Sequence, residues 1–278
     1  MKYVKRKTLL YRSGVEFEDY ALNHIEGCTH DCRFPCYARL FKKRSPSEWV
    51  DIAIVENAME LLDIEIPVLK DRIKQVHMCF STDPFMYGVP EVIELSLKII
   101  RRLINENIKV KTLTKGETPY KEIIDIEKAR PENYGDLFNV IPKKENEYGI
   151  TLVNLNEEYR KKYEPGTAPF DIRINSLKKL ADAGYYTYVY MEPFNPWFTS
   201  MEHFDKMLNI IKFVKKIYFG SWQNNPKYAP KEPYRKYVYH LVDFCKENNI
   251  ELFLKREVRF LYEGSDAEKF NNEGVQKT

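Results

Sequence analysis

The feature that most constrains this chain is a regular alternation of short apolar runs with amphipathic stretches of helix length, sustained from Tyr20 to Leu254. Residues 20–22, 75–80, 109–113, 149–153, 185–191, 217–220 and 250–254 read as strands. Between them, residues 47–62, 90–105, 118–128, 170–183, 201–214 and 233–248 read as helices. Val50, Ile54, Ala58 and Leu61 form one helical stripe behind a Ser45-Pro46-Ser47 start signal, and Val92, Ile93, Leu95, Ile99, Ile100 and Leu103 form another. Tyr237, Leu241 and Phe244 make a third. Strands alternating with helices in this way predict a parallel sheet with right-handed crossovers. Six strand–helix units and a seventh strand fall short of a closed eight-unit barrel. The expected fold is therefore α/β, a partial (β/α)6 TIM-like barrel, whose chemistry sits where the strands end.

Domain organisation follows from length. A chain of 278 residues is within the range of a single α/β barrel. Residues 1–19 read as an extended, basic lead-in, 20–262 as the barrel, and 263–278 as a polar tail. Residues 130–148, with Pro131, Asn133, Gly135 and Pro142 among several charges, read as an insertion loop. A net charge of +3 gives no electrostatic case for nucleic acid, and basic runs such as Lys42-Lys43-Arg44 read as solvated faces. The five cysteines make no disulfide framework, and no signal peptide or long apolar run is read, so a soluble, cytoplasmic protein without membrane contact is expected.

Three of those cysteines, Cys28, Cys32 and Cys36, stand in one short stretch, each separated from the next by three residues. A spacing of four would align them on a helix, but Pro35 before the third and Gly27 before the first make the stretch a loop. Three thiols wrapped around something leave two candidates. One is an iron–sulfur cluster with one iron left open; the other is a zinc ion completed by His24 or His30, in a binding protein without redox chemistry.

The wording of this loop, G-C-x-H-x-C, an aromatic, then C-Y-A-R, resembles radical S-adenosylmethionine (radical SAM) enzymes, in the subgroup related to spore photoproduct lyase. The family has two residues between its second and third cysteines; this chain has Arg33-Phe34-Pro35, one more, which a local bulge would absorb. The resemblance implies that Cys28, Cys32 and Cys36 hold a 4Fe-4S cluster and that S-adenosylmethionine chelates the open iron. It also implies reductive cleavage to a 5′-deoxyadenosyl radical that takes hydrogen from a substrate, with an electron donor such as ferredoxin or flavodoxin. Phe34 or Tyr37 would pack against the cofactor.

Further matches fall at successive strand ends. Ser81-Thr82-Asp83-Pro84 resembles the family's T-D-P-Y segment, whose hydroxyls and carboxylate face the cofactor's amino group. Thr114-Lys115 resembles its T-K-S, whose lysine faces the carboxylate. Glu164-Pro165, Ala168-Pro169 and Arg173 resemble E-P-x-x-A-P…R, and the segment from Met191 to Pro196 resembles the stretch after the fifth strand. Arg173 suits either a carboxylate clamp or an ion pair with Glu164. Thr151 and Asn154 are placed to reach ribose hydroxyls. Tyr37, Phe85, Phe194, Trp197 and Trp222 are candidates for an apolar mouth. Cys79 lies one residue out of step with the family's hydrogen-donating cysteine, so strand alternation turns it to the opposite face, and with Cys245 it reads as a buried hydrophobe.

Overall fold

A computed structural model of the chain describes residues 1–34, 36–129, 145–222 and 232–262. The first elements are β1 (Lys2–Val4), β2 (Leu10–Arg12), β3 (Tyr20–Leu22), β4 (Ile25–Glu26), α1 (Tyr37–Phe41), α2 (Pro46–Val50), β5 (Ala53–Val55) and α3 (Ala58–Leu69). Next come β6 (Gln75–Met78), α4 (Pro90–Asn105), β7 (Lys109–Thr114), α5 (Tyr120–Lys128), β8 (Glu147–Thr151), α6 (Glu157–Tyr163) and α7 (Phe170–Asp182). The chain continues through β9 (Tyr186–Phe194), α8 (Met201–Ile211), β10 (Lys216–Ser221), α9 (Glu232–Asn248), β11 (Glu251–Leu254) and α10 (Arg256–Arg259).

Seven strands lie parallel in the order β11-β10-β9-β8-β7-β6-β3, as the alternation predicts, and β2 adds an antiparallel edge beside β3. Among the described residues the two edge strands do not pair, so the barrel stays open. Each strand divides its side chains between two faces. Val76, Met78, Val110, Ile150, Val189, Met191, Ile217 and Phe219 face outward and share one apolar core with helix residues such as Leu62, Ile99, Leu177 and Leu241. The concave face is lined with Tyr188, Tyr190 and Tyr218, against Phe17, Leu113 and Phe253, and carries His77 and Lys111 paired across neighbouring strands.

Differences from the sequence reading have local causes. The expected helix over residues 47–62 is three elements. Ser45 and Glu48 form a capping box and Pro46 opens α2, but the helix stops at Val50. Ala53-Ile54-Val55 is buried throughout and extended because it pairs with both β1 and β4 in a second, three-stranded sheet. That pairing overrides the helical spacing of Val50, Ile54 and Ala58. The strand expected at 149–153 runs two residues earlier, so the end of the expected insertion belongs to β8. The rest of the insertion, residues 130–144, lies outside the described residues, as do Pro35 and the tail at 263–278.

The N-terminal residues expected as a lead-in contribute β1 and β2, and then turn back across the open side of the barrel. Phe17 packs on Tyr218 and Phe253, with ring centroids 5.9 and 5.2 Å away. Glu16 pairs with Arg259, and Glu18 reaches His77 Nδ1 at 2.8 Å and Lys111 Nζ at 2.7 Å.

Candidate functional site

The cysteine loop is braced from both sides. The Cys28 N–H donates to the Trp49 carbonyl at 2.8 Å, the Arg33 N–H to the Tyr163 carbonyl at 2.8 Å, and the Gly166 N–H to the His30 carbonyl at 3.1 Å. A Cβ on Gly166 would stand 2.2 Å from the Thr29 carbonyl oxygen, so only glycine lets the 164–169 segment approach this closely. Cys36 ends the loop by preceding α1.

All three cysteines line one cavity of about 380 Å³ at the carboxyl ends of the strands. They are free and half-buried. Burial pushes the Cys32 thiol up to about 12; the ammonium of Lys115 opposes this, while Glu164 and Cys36 add to it. Burial, Asp83 and the other two cysteines raise Cys28 as well. Coordination to a cationic centre would relieve that mutual repulsion.

Neither histidine offered by the zinc alternative is available. His24 has Nε2 2.8 Å from Ser96 Oγ and Nδ1 3.2 Å from Cys79 Sγ, and burial pulls its pKa down to about 3. His30 Nε2 accepts from the Tyr87 N–H at 3.1 Å, which leaves its Nδ1 toward Asp83 at 3.4 Å. Among the described residues no three Cys, His, Asp or Glu side chains converge to hold a single metal ion. Three thiols on one cavity without a fourth protein ligand among the described residues suit an iron–sulfur cluster with one iron left open.

The strand ends carry a connected polar frame. Asp83 Oδ1 accepts from Thr114 Oγ1 at 2.6 Å and the Phe85 N–H at 2.9 Å, and Oδ2 accepts from the Lys115 N–H at 2.8 Å. The Lys115 ammonium meets Glu164 at 2.6 Å, lies 3.9 Å from Cys32 Sγ and sits 4.2 Å from the centroid of the Phe34 ring. Arg173 is fully buried and donates to Glu164 Oε2 at 2.9 Å, to the Thr151 carbonyl at 3.1 Å and to the Ala168 carbonyl at 2.8 Å. Although burial pushes Glu164 up, Lys115 and Arg173 pull it down further, to about 2. Both Ser81 donors, Oγ at 2.8 Å and N–H at 3.1 Å, go to Asn23.

Of the residues singled out in the sequence, Phe34, Tyr37, Ser81, Thr82, Asp83, Lys115 and Thr151 line the cavity with the three cysteines. Thr114 stands one step behind, holding Asp83. Arg173 sits beneath as the ion-pair partner of Glu164. Asn154 Oδ1 accepts from the Leu155 and Asn156 N–H groups and so shapes its own turn. Met191 points into the helix-facing core, because it alternates with the inward Tyr190. Of the mouth aromatics, Tyr37 and Trp222 line the cavity, with Trp222 5.6 Å from Phe34. Phe85 and Phe194 belong to the outer core, and Trp197 is 55% exposed.

The burial of Cys79 has a reason other than strand alternation. It lies past the end of β6 with φ +54°, so strand alternation does not govern it, yet it is buried as expected, packed with Ile25, Ile54 and Met86 with its Sγ 3.2 Å from His24 Nδ1, while the residue also borders the cavity. Cys245 is buried in the core on α9. Among the cavity residues to which the sequence reading gave no role of their own are His77, Lys255 and Glu192, the last inside the Met191 to Pro196 segment. Two of them had a further signal, His77 as a polar residue inside a buried strand and Lys255 immediately after the last one.

Comparison with known proteins agrees with this geometry. The sequence model of the radical SAM superfamily matches residues 22–214. An uncharacterized protein of Methanocaldococcus jannaschii is 22% identical over 272 residues, covering 90% of this chain and 94% of that protein. Spore photoproduct lyase with bound S-adenosylmethionine and a dinucleoside spore photoproduct superposes with a TM-score of 0.66 at 13% identity, covering 94% of this chain and 81% of that one. The same enzyme complexed with the dinucleoside spore photoproduct gives a TM-score of 0.64 at 14% identity, over 91% and 80% of the two chains. At these identities the structural likeness speaks for the fold, a partial TIM barrel. The family match covers more than half of the chain, and the chain belongs to the radical SAM superfamily.

Proposed function

We propose that Cys28, Cys32 and Cys36 hold a 4Fe-4S cluster and that S-adenosylmethionine binds beside it, in the cavity these cysteines share with Phe34, Tyr37, Ser81, Thr82, Asp83, Lys115 and Thr151. When bound and reduced by a donor of the ferredoxin or flavodoxin type, this pair supplies a 5′-deoxyadenosyl radical that abstracts hydrogen from a substrate. The observation that carries the reading is the meeting of three free thiols with the Lys115–Glu164 pair in one cavity at the strand ends.

The chain's own residues act by positioning and exclusion. Asp83 ties the end of β6 to that of β7, so the loops that carry Ser81, Thr82 and Lys115 hold a fixed relation. The Lys115 ammonium, held by Glu164, presents positive charge beside Cys32, where negative charge gathers when thiolates form. Phe34, Tyr37 and Trp222 supply apolar walls that keep water from a reactive species.

Anaerobic reconstitution tests this. The brown protein should absorb broadly near 400 nm, hold about four irons per chain, and release 5′-deoxyadenosine from S-adenosylmethionine once reduced. Alanine at Cys28, Cys32 or Cys36 should abolish iron retention and cofactor cleavage, whereas Cys79→Ala and Cys245→Ala should keep the iron. A colourless protein with one zinc would overturn the reading.

A further inference from the structure

Beyond the cysteines, the cavity continues to a wall formed by Glu192 at the end of β9, Trp222 after β10 and Lys255 after β11, with Tyr190 and His77 from the concave face. Lys255 is 7% exposed. Its ammonium lies over the rings of Tyr190 and Phe17, 5.6 and 5.7 Å from their centroids, and among the described residues it has no hydrogen bond and no carboxylate at ion-pair distance. A buried cation is costly unless an opposite charge meets it.

One carboxyl of the same wall acts on it only from beyond ion-pair distance. Glu192 lines the same wall, in room left by Gly220, where a Cβ would stand 2.7 Å from Glu192 Cδ. Burial pushes the Glu192 carboxyl up to about 7, with Lys255 opposing and Glu257 and Glu16 reinforcing, so near neutral pH it is only partly charged. A second group points the same way. His77 is 1% exposed, Glu18 stands on its Nδ1 side, and its buried Nε2 has no partner among the described residues.

We infer that this wall is the substrate subsite, and that Lys255 anchors there an anionic group, a carboxylate or a phosphate ester, carried on a flat apolar body that packs against Tyr190 and Trp222. His77 Nε2 is the second polar contact. The inference rests on the proposed function, which places the cofactor against the cysteines and leaves this wall to the substrate.

Calorimetric titration of the reconstituted protein, saturated with S-adenosylmethionine, with phenyl phosphate, benzoate and neutral benzyl alcohol tests it. At least one anion should bind saturably while the alcohol does not; the better of the two identifies the phosphate or the carboxylate. Lys255→Met should weaken that anion on the order of tenfold or more, the loss of one charged hydrogen bond, and Lys255→Arg should stay within a few-fold. Overturning results are no anion bound by the natural protein, equal binding of benzyl alcohol, unchanged affinity in Lys255→Met, or a loss in Lys255→Arg as large as in Lys255→Met. Displacement of the probes by S-adenosylmethionine also overturns it, since the wall would then belong to the cofactor. A protein that takes up no iron would instead sink the cluster reading, and the same titration without S-adenosylmethionine would still judge the subsite.

Discussion

Asp83 shows how one residue can serve as both motif and strut. The family resemblance implies that its carboxylate faces the cofactor, yet three of its acceptor positions are taken by Thr114, Phe85 and Lys115, and the residue is 4% exposed. Its removal leaves buried donors without partners, each costing about 1–3 kcal/mol. Asp83→Ala should therefore lower unfolding free energy by roughly 3–5 kcal/mol in urea titrations, and Asp83→Asn, which keeps one acceptor oxygen, by less. Unchanged stability with lost S-adenosylmethionine binding would make Asp83 a ligand contact and nothing more. Lys115 and Glu164 are similarly tied to each other, which leaves Lys115 free to act on a ligand only through its remaining donors.

At the scale of elements, the cysteine loop is shaped by a segment far away in sequence. Residues 164–169 lie against it through Gly166, and Arg173 of α7 fixes that segment by bonding Glu164 and the Ala168 carbonyl. Gly166→Ala places a methyl group where the Thr29 backbone stands, and backbone cannot yield as a side chain does. We expect this variant to keep its far-ultraviolet circular dichroism while losing most of its iron on reconstitution; full iron content would show that the loop closes without this brace. The same scale explains where periodicity misled. Ala53-Ile54-Val55 satisfies a helical stripe and a buried strand equally well, and the neighbours β1 and β4 decide for the strand.

At the scale of the whole molecule, an open barrel leaves its concave face to be covered, and the segment carrying Glu16, Phe17 and Glu18 covers it. Burial pushes the Glu18 carboxyl up, but His77 and Lys111 pull it down further, to about 2. Glu164 is held equally low by Lys115 and Arg173. A carboxylate depressed in the folded state contributes stability that is whole above its unfolded value of 4.5 and is lost as pH falls toward 2. Glu192, raised to about 7, works in the opposite sense and its contribution fades as pH rises from 4.5 through that value. Urea midpoints should thus drop steeply between pH 4.5 and 2. Glu18→Gln should flatten part of that slope and cost about 3–5 kcal/mol at neutral pH, because Lys111 is left buried without its counter-ion. An unaltered pH profile in Glu18→Gln would remove the carboxylate from this role.

The sequence by itself determined the seven-strand parallel order, the loop character of the cysteine stretch and the grouping of motif residues at strand ends. Hydrophobic period, proline and glycine placement, and strand-end position are local or topological properties that a chain carries in its own order. Only the tertiary structure decided which of those residues share a cavity. Alternation turns Met191 away, while Cys79, past the end of its strand with a left-handed φ, borders the cavity with its thiol held on His24, and both outcomes depend on where a strand stops. The pairing of Lys115 with Glu164 joins residues 49 apart, and the packing of Phe17 on Phe253 and under the Lys255 ammonium joins the two ends of the described chain. Such contacts follow from the packed arrangement of all seven strands, which no single stretch specifies.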